Sequence, residues 1–279
     1  MVRLLAAVLV FALDAASSAA ADSMPPCATL TPGPTHTVTR ILDGETVALD
    51  DGTELRLVGG LAPRAADVNA EAGAWPMEAA ARDELRRLLL GKSIELRFGT
   101  ERLDRYGRRQ AQAFLIERDG RRWVQGSLLQ QGFARAYVEA GDRGCLADLL
   151  AAERPAREAH LGLWAEAAYQ VRAAADAAEL RRYRATFQLV EGKVVAVGVR
   201  RTTIYLNFSR NWRRGFSASL RRGDASLLGT YAADPRALEG RDVRVRGWIE
   251  QRRGAPTIDL SVGGLVEILV APLAAGKQR

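Results

Sequence analysis

The sequence has few of the residues that usually build metal and thiol chemistry. Its 279 residues include two cysteines and two histidines. With two cysteines there is no paired Cys spacing of the kind that binds zinc or forms a redox motif. His36 and His160 lie far apart and lack a ligand-type partner pattern, so neither is predicted to bind a metal.

The sequence also lacks an apolar run near its start that is long enough to span a membrane. The run from Leu4 to Leu13 is about half of the roughly 20 residues that a span requires, and Asp14 interrupts it. Arg3 precedes the run and the small residues 19–21 follow it. This layout predicts a cleavable signal peptide over residues 1–21 and an exported protein, periplasmic or secreted, without a membrane span. An anchoring helix is the alternative.

Cys27 and Cys145 both follow the predicted cleavage site. In an oxidising compartment two lone cysteines most often pair, so a Cys27–Cys145 disulfide is predicted. It would tie the mature N-terminus to the first domain. Two free thiols are the alternative.

The net charge of +7 is unevenly distributed along the chain. From Leu180 to the end there are 19 Lys/Arg against 8 Asp/Glu, whereas the preceding part has 21 against 25. A basic second half rich in arginine favours nucleic acid or another polyanion as partner. A generally arginine-rich composition with a solvated basic face is the alternative.

The length accommodates two domains of ordinary size. In the first, alternating runs flank the turn at 50–53 and predict a hairpin, and a helix is predicted over 75–91. Two strands around a polar turn and two more helices follow, which fits a small bent sheet closing into a barrel. The Ala-rich segment 165–184 is predicted to be a helical connector, and the rest reads as about five strands.

Three stretches of the first domain belong together: "ILDGETV" (41–47), "RLVGGLAPR" (56–64) and "DRYGR" (104–108). With "LLQQGFARAYV" and "AERPAREAHLGLW" behind them, they resemble the staphylococcal nuclease family over about residues 37–166. The resemblance implies an OB-like five-stranded barrel with three helices. It also implies a calcium-dependent phosphodiesterase that cleaves DNA and RNA.

The predicted fold is therefore mainly β with helices (α+β), an OB-like barrel followed by a second small β-barrel of OB-like type. The predicted organisation is a signal peptide at 1–21, a tail at 22–36, the nuclease-like domain at 37–166, a connector at 167–184, a basic all-β domain at 185–272 and a tail at 273–279.

The first block differs from the family pattern at one calcium ligand. The pattern is Asp-Gly-Asp-Thr, with calcium on the second aspartate, and Glu45 stands at that position here. Glutamate keeps an oxygen donor but shifts it through its extra methylene, which weakens a calcium site without abolishing it. Glu45 and Asp43 are the candidate metal ligands, and two solvated turn residues are the alternative.

The second block departs further from the family pattern. Leu61 stands at a calcium-ligand aspartate, and Arg64 stands at the glutamate that positions or deprotonates the attacking water. Leucine cannot coordinate a metal, and a permanently protonated arginine cannot act as a general base. Restoring both groups with Leu61→Asp and Arg64→Glu is therefore predicted to raise nuclease activity.

The phosphate-binding positions of the family are retained. Arg56 and Arg108 match its two phosphate arginines, Tyr106 shapes the turn before Arg108, and Arg64 is a candidate third phosphate contact. The alternatives are an exposed hairpin residue for Arg56 and a local pair with Asp104 for Arg108. Arginines stabilise phosphoryl charge but do not generate the nucleophile.

In the second domain, Arg244, Arg246 and Trp248 alternate with Val243, Val245 and Gly247. They are predicted to share one strand face, where arginine beside an aromatic is the arrangement that OB-folds use to bind single strands. Packing with a solvated basic face is the alternative.

The predicted function is to bind nucleic acid or a related phosphate-bearing anion, with weak or absent hydrolysis; calcium is a possible cofactor. One alternative is an active calcium-dependent nuclease that uses Glu45, Asp43 and a displaced carboxylate from Asp67 or Glu71. The other is an envelope protein-interaction module. The sequence does not predict the oligomeric state.

Overall fold

The computed structural model describes residues 26–64, 77–100, 102–138 and 143–269. The predicted signal peptide, Asp67 and Glu71 lie outside these residues. Within the described part of the chain, every helix is too short or too polar to cross a membrane.

The described residues of the first part of the chain form eight strands and three helices. The strands are β1 (Thr31–Ile41), β2 (Thr46–Leu49), β3 (Glu54–Leu57), β4 (Gly60–Leu61), β5 (Ser93–Phe98), β6 (Arg109–Glu117), β7 (Gly120–Trp123) and β8 (Arg135–Ala136). The helices are α1 (Glu78–Leu89), α2 (Val124–Gln130) and α3 (Leu146–Glu158).

Five of these strands form a closed barrel. The order is β3-β2-β1-β5-β6, and a parallel pairing between β3 and β6 closes it. The predicted hairpin is present, with Thr46 opposite Arg56 across β2 and β3. Because β1 begins at Thr31 and pairs with β5, residues predicted as a tail belong to the barrel wall.

Helix α1 covers one end of the barrel because its apolar residues recur at helical spacing. Ala81, Leu85, Leu88 and Leu89 are buried. The chain leaves the helix at Gly91, whose φ of +72° favours glycine. The sequence prediction of this helix is confirmed.

In the second part of the chain, the residues that the structure describes form one short helix and eight strands. They are β9 (Arg172–Ala173), α4 (Ala177–Arg182), β10 (Phe187–Lys193), β11 (Ala196–Val199), β12 (Thr203–Asn207), β13 (Ser217–Arg221), β14 (Asp242–Arg252), β15 (Ala255–Asp259) and β16 (Leu265–Ile268). Short 3₁₀ segments lie at Gly162–Ala165, Ala167–Tyr169, Arg222–Tyr231 and Pro235–Leu238.

This second sheet repeats the topology of the first. β10 and β11 are two halves of one bent strand: between them, Val195 N–H donates to Asn207 O at the end of β12, and Val194 O accepts the Gly240 N–H. The pairings β11–β12, β12–β13, β13–β15, β15–β14 and β14–β10 then close a barrel, with β13 and β15 parallel as β3 and β6 are. The prediction of a second OB-like barrel is confirmed.

The segment 165–184 is not the continuous helix that its composition predicts. Its regular elements are 3₁₀ turns, the two-residue strand β9 and α4. Tyr169 is buried, and Arg172 pairs in register with Val190 of β10. Packing of these two side chains overrides the alanine-rich helix propensity.

The predicted disulfide joins Cys27 to Cys145, with their Cα atoms 4.7 Å apart. Cys27 N–H also donates to Asp148 Oδ2 at 2.7 Å. The disulfide therefore anchors the segment before β1 to the beginning of α3.

The two barrels share a buried interface. Arg246 of β14 is fully buried and pairs with Glu153 of α3 at 2.7 Å and with Glu267 of β16 at 2.7 Å. It also donates to Ala136 O of β8 at 3.1 Å. A buried apolar cluster lies in the same interface, formed by Leu61, Ala156, Leu163, Trp164, Tyr169, Phe187 and Leu189.

The interface predicts an acid sensitivity of folding. Burial opposes ionisation of Glu153, but Arg246, the Ala136 N–H and Arg157 more than offset it and lower the pKa of Glu153 below its ordinary value of 4.5. A depressed carboxyl pKa stabilises the fold above the ordinary pKa, and this contribution is lost as the pH falls through the folded-state value. We expect the free energy of unfolding, measured in urea, to be lower for Glu153→Gln than for wild type. This difference should be largest near pH 7 and should shrink below about pH 4.5. A pH-independent difference would contradict this assignment.

Candidate functional site

The fold brings the three sequence blocks together at one edge of the first barrel. The turn 42–45 enters β2, which pairs with β3 and sets Thr46 opposite Arg56. β3 runs parallel to β6 with Arg56 opposite Gln110, so Arg108 lies about 8 Å from Arg56 along the neighbouring strand. The stretches 41–47, 56–64 and 104–108 therefore lie near one another in space.

Glu45 is the centre of this site. Its side chain is 3 % exposed and lies between two guanidinium groups, with Oε1 3.4 Å from Arg56 Nε and 3.3 Å from Arg64 Nη1. Its second oxygen accepts the Ala62 N–H at 3.1 Å. Gly44 permits this close approach, because a Cβ there would lie 2.8 Å from the Cβ of Ala62.

Burial is the largest influence on the Glu45 carboxyl. It raises the pKa of Glu45 above its ordinary value, against the opposing effects of Arg56 and Arg64. The two arginines therefore offset part of the cost of placing this carboxyl away from water.

Leu61 lies in the interior and not at the rim of an open site. It is 2 % exposed and belongs to the apolar cluster between the barrels, together with Trp164 and Phe187. In β4 it pairs with Arg135 of β8. Leu61 thus helps to join the two domains.

Asp43 has a local structural role in the turn. Its Oδ1 accepts the Glu45 N–H at 2.8 Å, which fixes the backbone before β2. The carboxylate therefore holds the loop that carries Glu45.

Calcium does not fit the described residues of this site. Calcium takes six to eight oxygen ligands at about 2.3–2.6 Å. Both oxygens of Glu45 have protein partners, Leu61 has no side-chain oxygen, and the Arg64 guanidinium lies on the Glu45 carboxylate. The positive charge next to Glu45 is thus supplied by two arginines.

Arg108 and Tyr106 form the accessible part of the site. Arg108 Nε donates to Asp104 Oδ2 at 2.7 Å, and its terminal nitrogens have no hydrogen-bond partner among the described residues. Tyr106 is 69 % exposed, and the guanidinium groups of Arg105 and Arg108 lie 5.0 and 5.3 Å from its ring centroid. Asp104 also accepts the Tyr106 N–H, so it orders the whole turn.

The strand face predicted to bind nucleic acid in the second domain is buried in part against the first domain, through Arg246. Arg246 has no exposed surface, which corrects the expectation that it contacts a polyanion. Arg244 pairs with Glu191 and, at 3.3 Å, with Glu267. Trp248 packs edge-on against Phe187 with centroids 5.9 Å apart. Alternation in the sequence identifies residues that share a face, but not what lies against that face.

One further cluster of ligand-type atoms contains His36, Asp50 and Asp51 at the first hairpin. Arg109 occupies this cluster, with its guanidinium 2.8 Å from both His36 Nε2 and Asp51 Oδ2. Hydrogen bonds from Thr53 are the main cause that lowers the pKa of Asp51 to about 2. The cluster is a surface ion-pair network.

Sequence reasoning missed the pairing of Arg64 with Glu45. In the resemblance, Glu45 stands at a metal-ligand position and Arg64 at the position of the water-activating glutamate, and their charges are complementary. That complementarity was the available signal.

A closed five-stranded barrel with α1 at one end, and with a carboxylate and arginines gathered at its edge, defines an OB-like domain of the nuclease type. Residues 54–166 match the family model described as staphylococcal nuclease homologue. No curated protein matches the chain.

Proposed function

We propose that this is an exported protein that uses its nuclease-like domain to hold nucleic acid or a related phosphate-bearing anion, with little or no calcium-dependent hydrolysis. The main support is that Arg56 and Arg64 both form ion pairs with Glu45, the one carboxylate kept at the family's calcium-ligand positions.

Loss of hydrolysis follows from the chemistry of these groups. Hydrolysis of a phosphodiester requires a nucleophile, which a metal or a general base generates from water. Arginine supplies neither, and Leu61 has no ligand atom. The Glu45 carboxylate accepts the Ala62 N–H and pairs with Arg56 and Arg64. To act as a base toward water it would have to give up these ion pairs.

Binding is supported by the turn that carries Arg108. Its terminal N–H groups suit bidentate contact with a phosphate, and guanidinium–phosphate hydrogen bonds are among the strongest in proteins. The exposed Tyr106 ring beside it provides a face on which a base can stack. The disulfide is compatible with export.

The test is one gel on the full chain with single-stranded and plasmid DNA, in calcium or in chelator. We expect a retarded band that weakens with salt, no degradation, and no effect of calcium. Arg108→Ala should weaken binding about tenfold, since it removes a charge-assisted contact. Arg87→Ala is the matched control, because Arg87 is also ion-paired, to Glu84, but lies on the far face of α1.

Two results would contradict the proposal. Degradation that requires calcium at catalytic protein concentrations would favour an active nuclease. The absence of any retarded band at low salt would favour a protein-interaction module.

A further inference from the structure

An open pocket of about 600 Å³ lies on the second barrel, apart from the site described above. Four of its nine lining residues are arginines: Arg181, Arg213, Arg214 and Arg253. One carboxylate, Asp176, also lines it. The lining therefore carries a net charge of about +3 at neutral pH, with arginine always protonated.

The topology of the barrel explains why these arginines meet. Arg213 and Arg214 precede β13, and Arg253 precedes β15. Because β13 and β15 run parallel with Ser217 opposite Thr257, the residues before both strands lie at the same edge. Helix α4 packs against β14 and β15 and brings Arg181 to that edge.

The positive charge of this pocket is not compensated locally. Within the described part of the chain, none of the four arginines has a carboxylate at ion-pair distance. Asp176 instead accepts the Glu179 N–H at 2.9 Å as the N-cap of α4. Arg244, Arg246 and Arg252 on neighbouring β14 are, by contrast, all ion-paired.

The loop beside the pocket presents an aromatic ring next to these charges. Trp212 is 50 % exposed, and the Arg213 guanidinium lies 4.6 Å from its ring centroid. Backbone hydrogen bonds from Arg214 and Gly215 to Asn211 O close the loop. A Cβ at Gly215 would lie 1.9 Å from Ser209 Oγ, so the tight closure requires glycine there.

The turn at Arg253 has an unusual backbone. Arg253 and Gly254 connect β14 to β15 with φ values of +54° and +84°. Two successive positive φ values are typical of a two-residue hairpin turn that prefers Asn-Gly. A positive φ is unfavourable for arginine, and unfavourable backbone conformations of this kind are concentrated at functional positions.

The geometry points to a second phosphate-binding site, in which these four arginines hold the backbone of single-stranded nucleic acid while Trp212 stacks on a base. Unpaired guanidinium groups beside an exposed aromatic on a β-barrel are what sequence-tolerant single-strand binding requires. This inference rests on the proposed function, because it names the substrate class and adds a contact site for it.

The test uses the full chain and fluorescence anisotropy of a labelled oligothymidylate of about 20 nucleotides, longer than the roughly 4 to 16 nucleotides that one OB-fold covers. We expect Arg213→Ala with Arg214→Ala to weaken binding at least about tenfold and to reduce the salt slope by about 1.4, or about 0.7 for each phosphate that is no longer neutralised. Trp212→Ala should weaken binding with an unchanged salt slope. Arg253→Gly should weaken binding without loss of folding, since glycine suits the turn.

Arg241→Ala is the matched control. Arg241 is exposed and lies before β14, whereas Arg253 lies after it, so the two are separated by the strand's length of roughly 30 Å. We expect this variant to bind within about twofold of wild type. Equal losses in Arg241→Ala and the pocket variants would indicate nonspecific charge and overturn the second site.

The outcomes separate the two proposals. If wild type binds the oligonucleotide and Arg108→Ala weakens it while the pocket variants do not, the second site is overturned and the proposed function stands. If the pocket variants weaken it and Arg108→Ala does not, the second site stands without the first. If millimolar inorganic phosphate displaces the oligonucleotide from wild type at constant ionic strength as completely as unlabelled oligonucleotide does, the pocket binds free phosphate and the nucleic-acid assignment is overturned.

Discussion

Replacing Arg246 with methionine is expected to lower the free energy of unfolding by about 3 to 5 kcal/mol, the range for breaking a buried ion pair by removing one partner. The variant leaves Glu153 fully buried without its bidentate partner at the interface of the two barrels. Arg157 still pairs with Glu153, but at the edge of the interface. Urea unfolding at pH 7 measures the effect.

Two further variants show whether the loss arises from the buried charge. Arg246→Met with Glu153→Leu removes both charges and should recover most of the lost stability, since apolar pairs of similar volume often replace buried ion pairs without cost. Arg252 lies on the same strand as Arg246, and Arg252→Met, which breaks its surface pair with Asp259 of β15, should cost less than about 1 kcal/mol. If Arg246→Met lies within about 1 kcal/mol of wild type, the interface does not depend on this ion pair.

Leu61→Asp is expected to destabilise the protein by about 3 to 4 kcal/mol, because it places a carboxylate among apolar side chains of the interface. The sequence alone predicts gain of a calcium ligand at this position. The structure adds that Leu61 packs with Trp164 and Phe187, so the new ligand can serve only when the second barrel moves away.

Adding Arg64→Glu changes the response to calcium. The double variant removes the Arg64 guanidinium from Glu45, leaves that of Arg56, and supplies two new carboxylates. If calcium binds with a Kd of about 1 mM, calcium at about 10 mM should restore about 1.4 kcal/mol. Thermal unfolding with and without calcium measures this, and nuclease activity should rise in parallel. If calcium leaves the stability of the double variant unchanged, the alignment of residues 56–64 with the family pattern is wrong.

The sequence predicted those elements that are determined by neighbouring residues in the chain. The helix at 78–89 and the hairpin around 50–53 follow from apolar periodicity and turn residues. The shared topology of the two barrels could not be read from any repeat, because it depends on which strands pair and not on identical residues. The disulfide was predictable because two cysteines have a single possible pairing within the chain.

The candidate site was predictable in its composition but not in its contacts. The resemblance grouped the blocks 41–47, 56–64 and 104–108, and they lie near one another in the structure. That Leu61 joins the interface and that Arg64 pairs with Glu45 depend on the position of the second barrel and on side-chain packing. The burial of Arg246 could not be predicted for the same reason. Its alternation with valines correctly predicted the strand face on which it lies, but the neighbouring domain determines that it is buried.

Under the proposed function, guanidinium groups take the place of a metal beside Glu45. Calorimetric titration of calcium into the wild-type chain tests this substitution directly. We predict no saturable binding in the millimolar range. Saturable binding at one site that Glu45→Gln abolishes would contradict it.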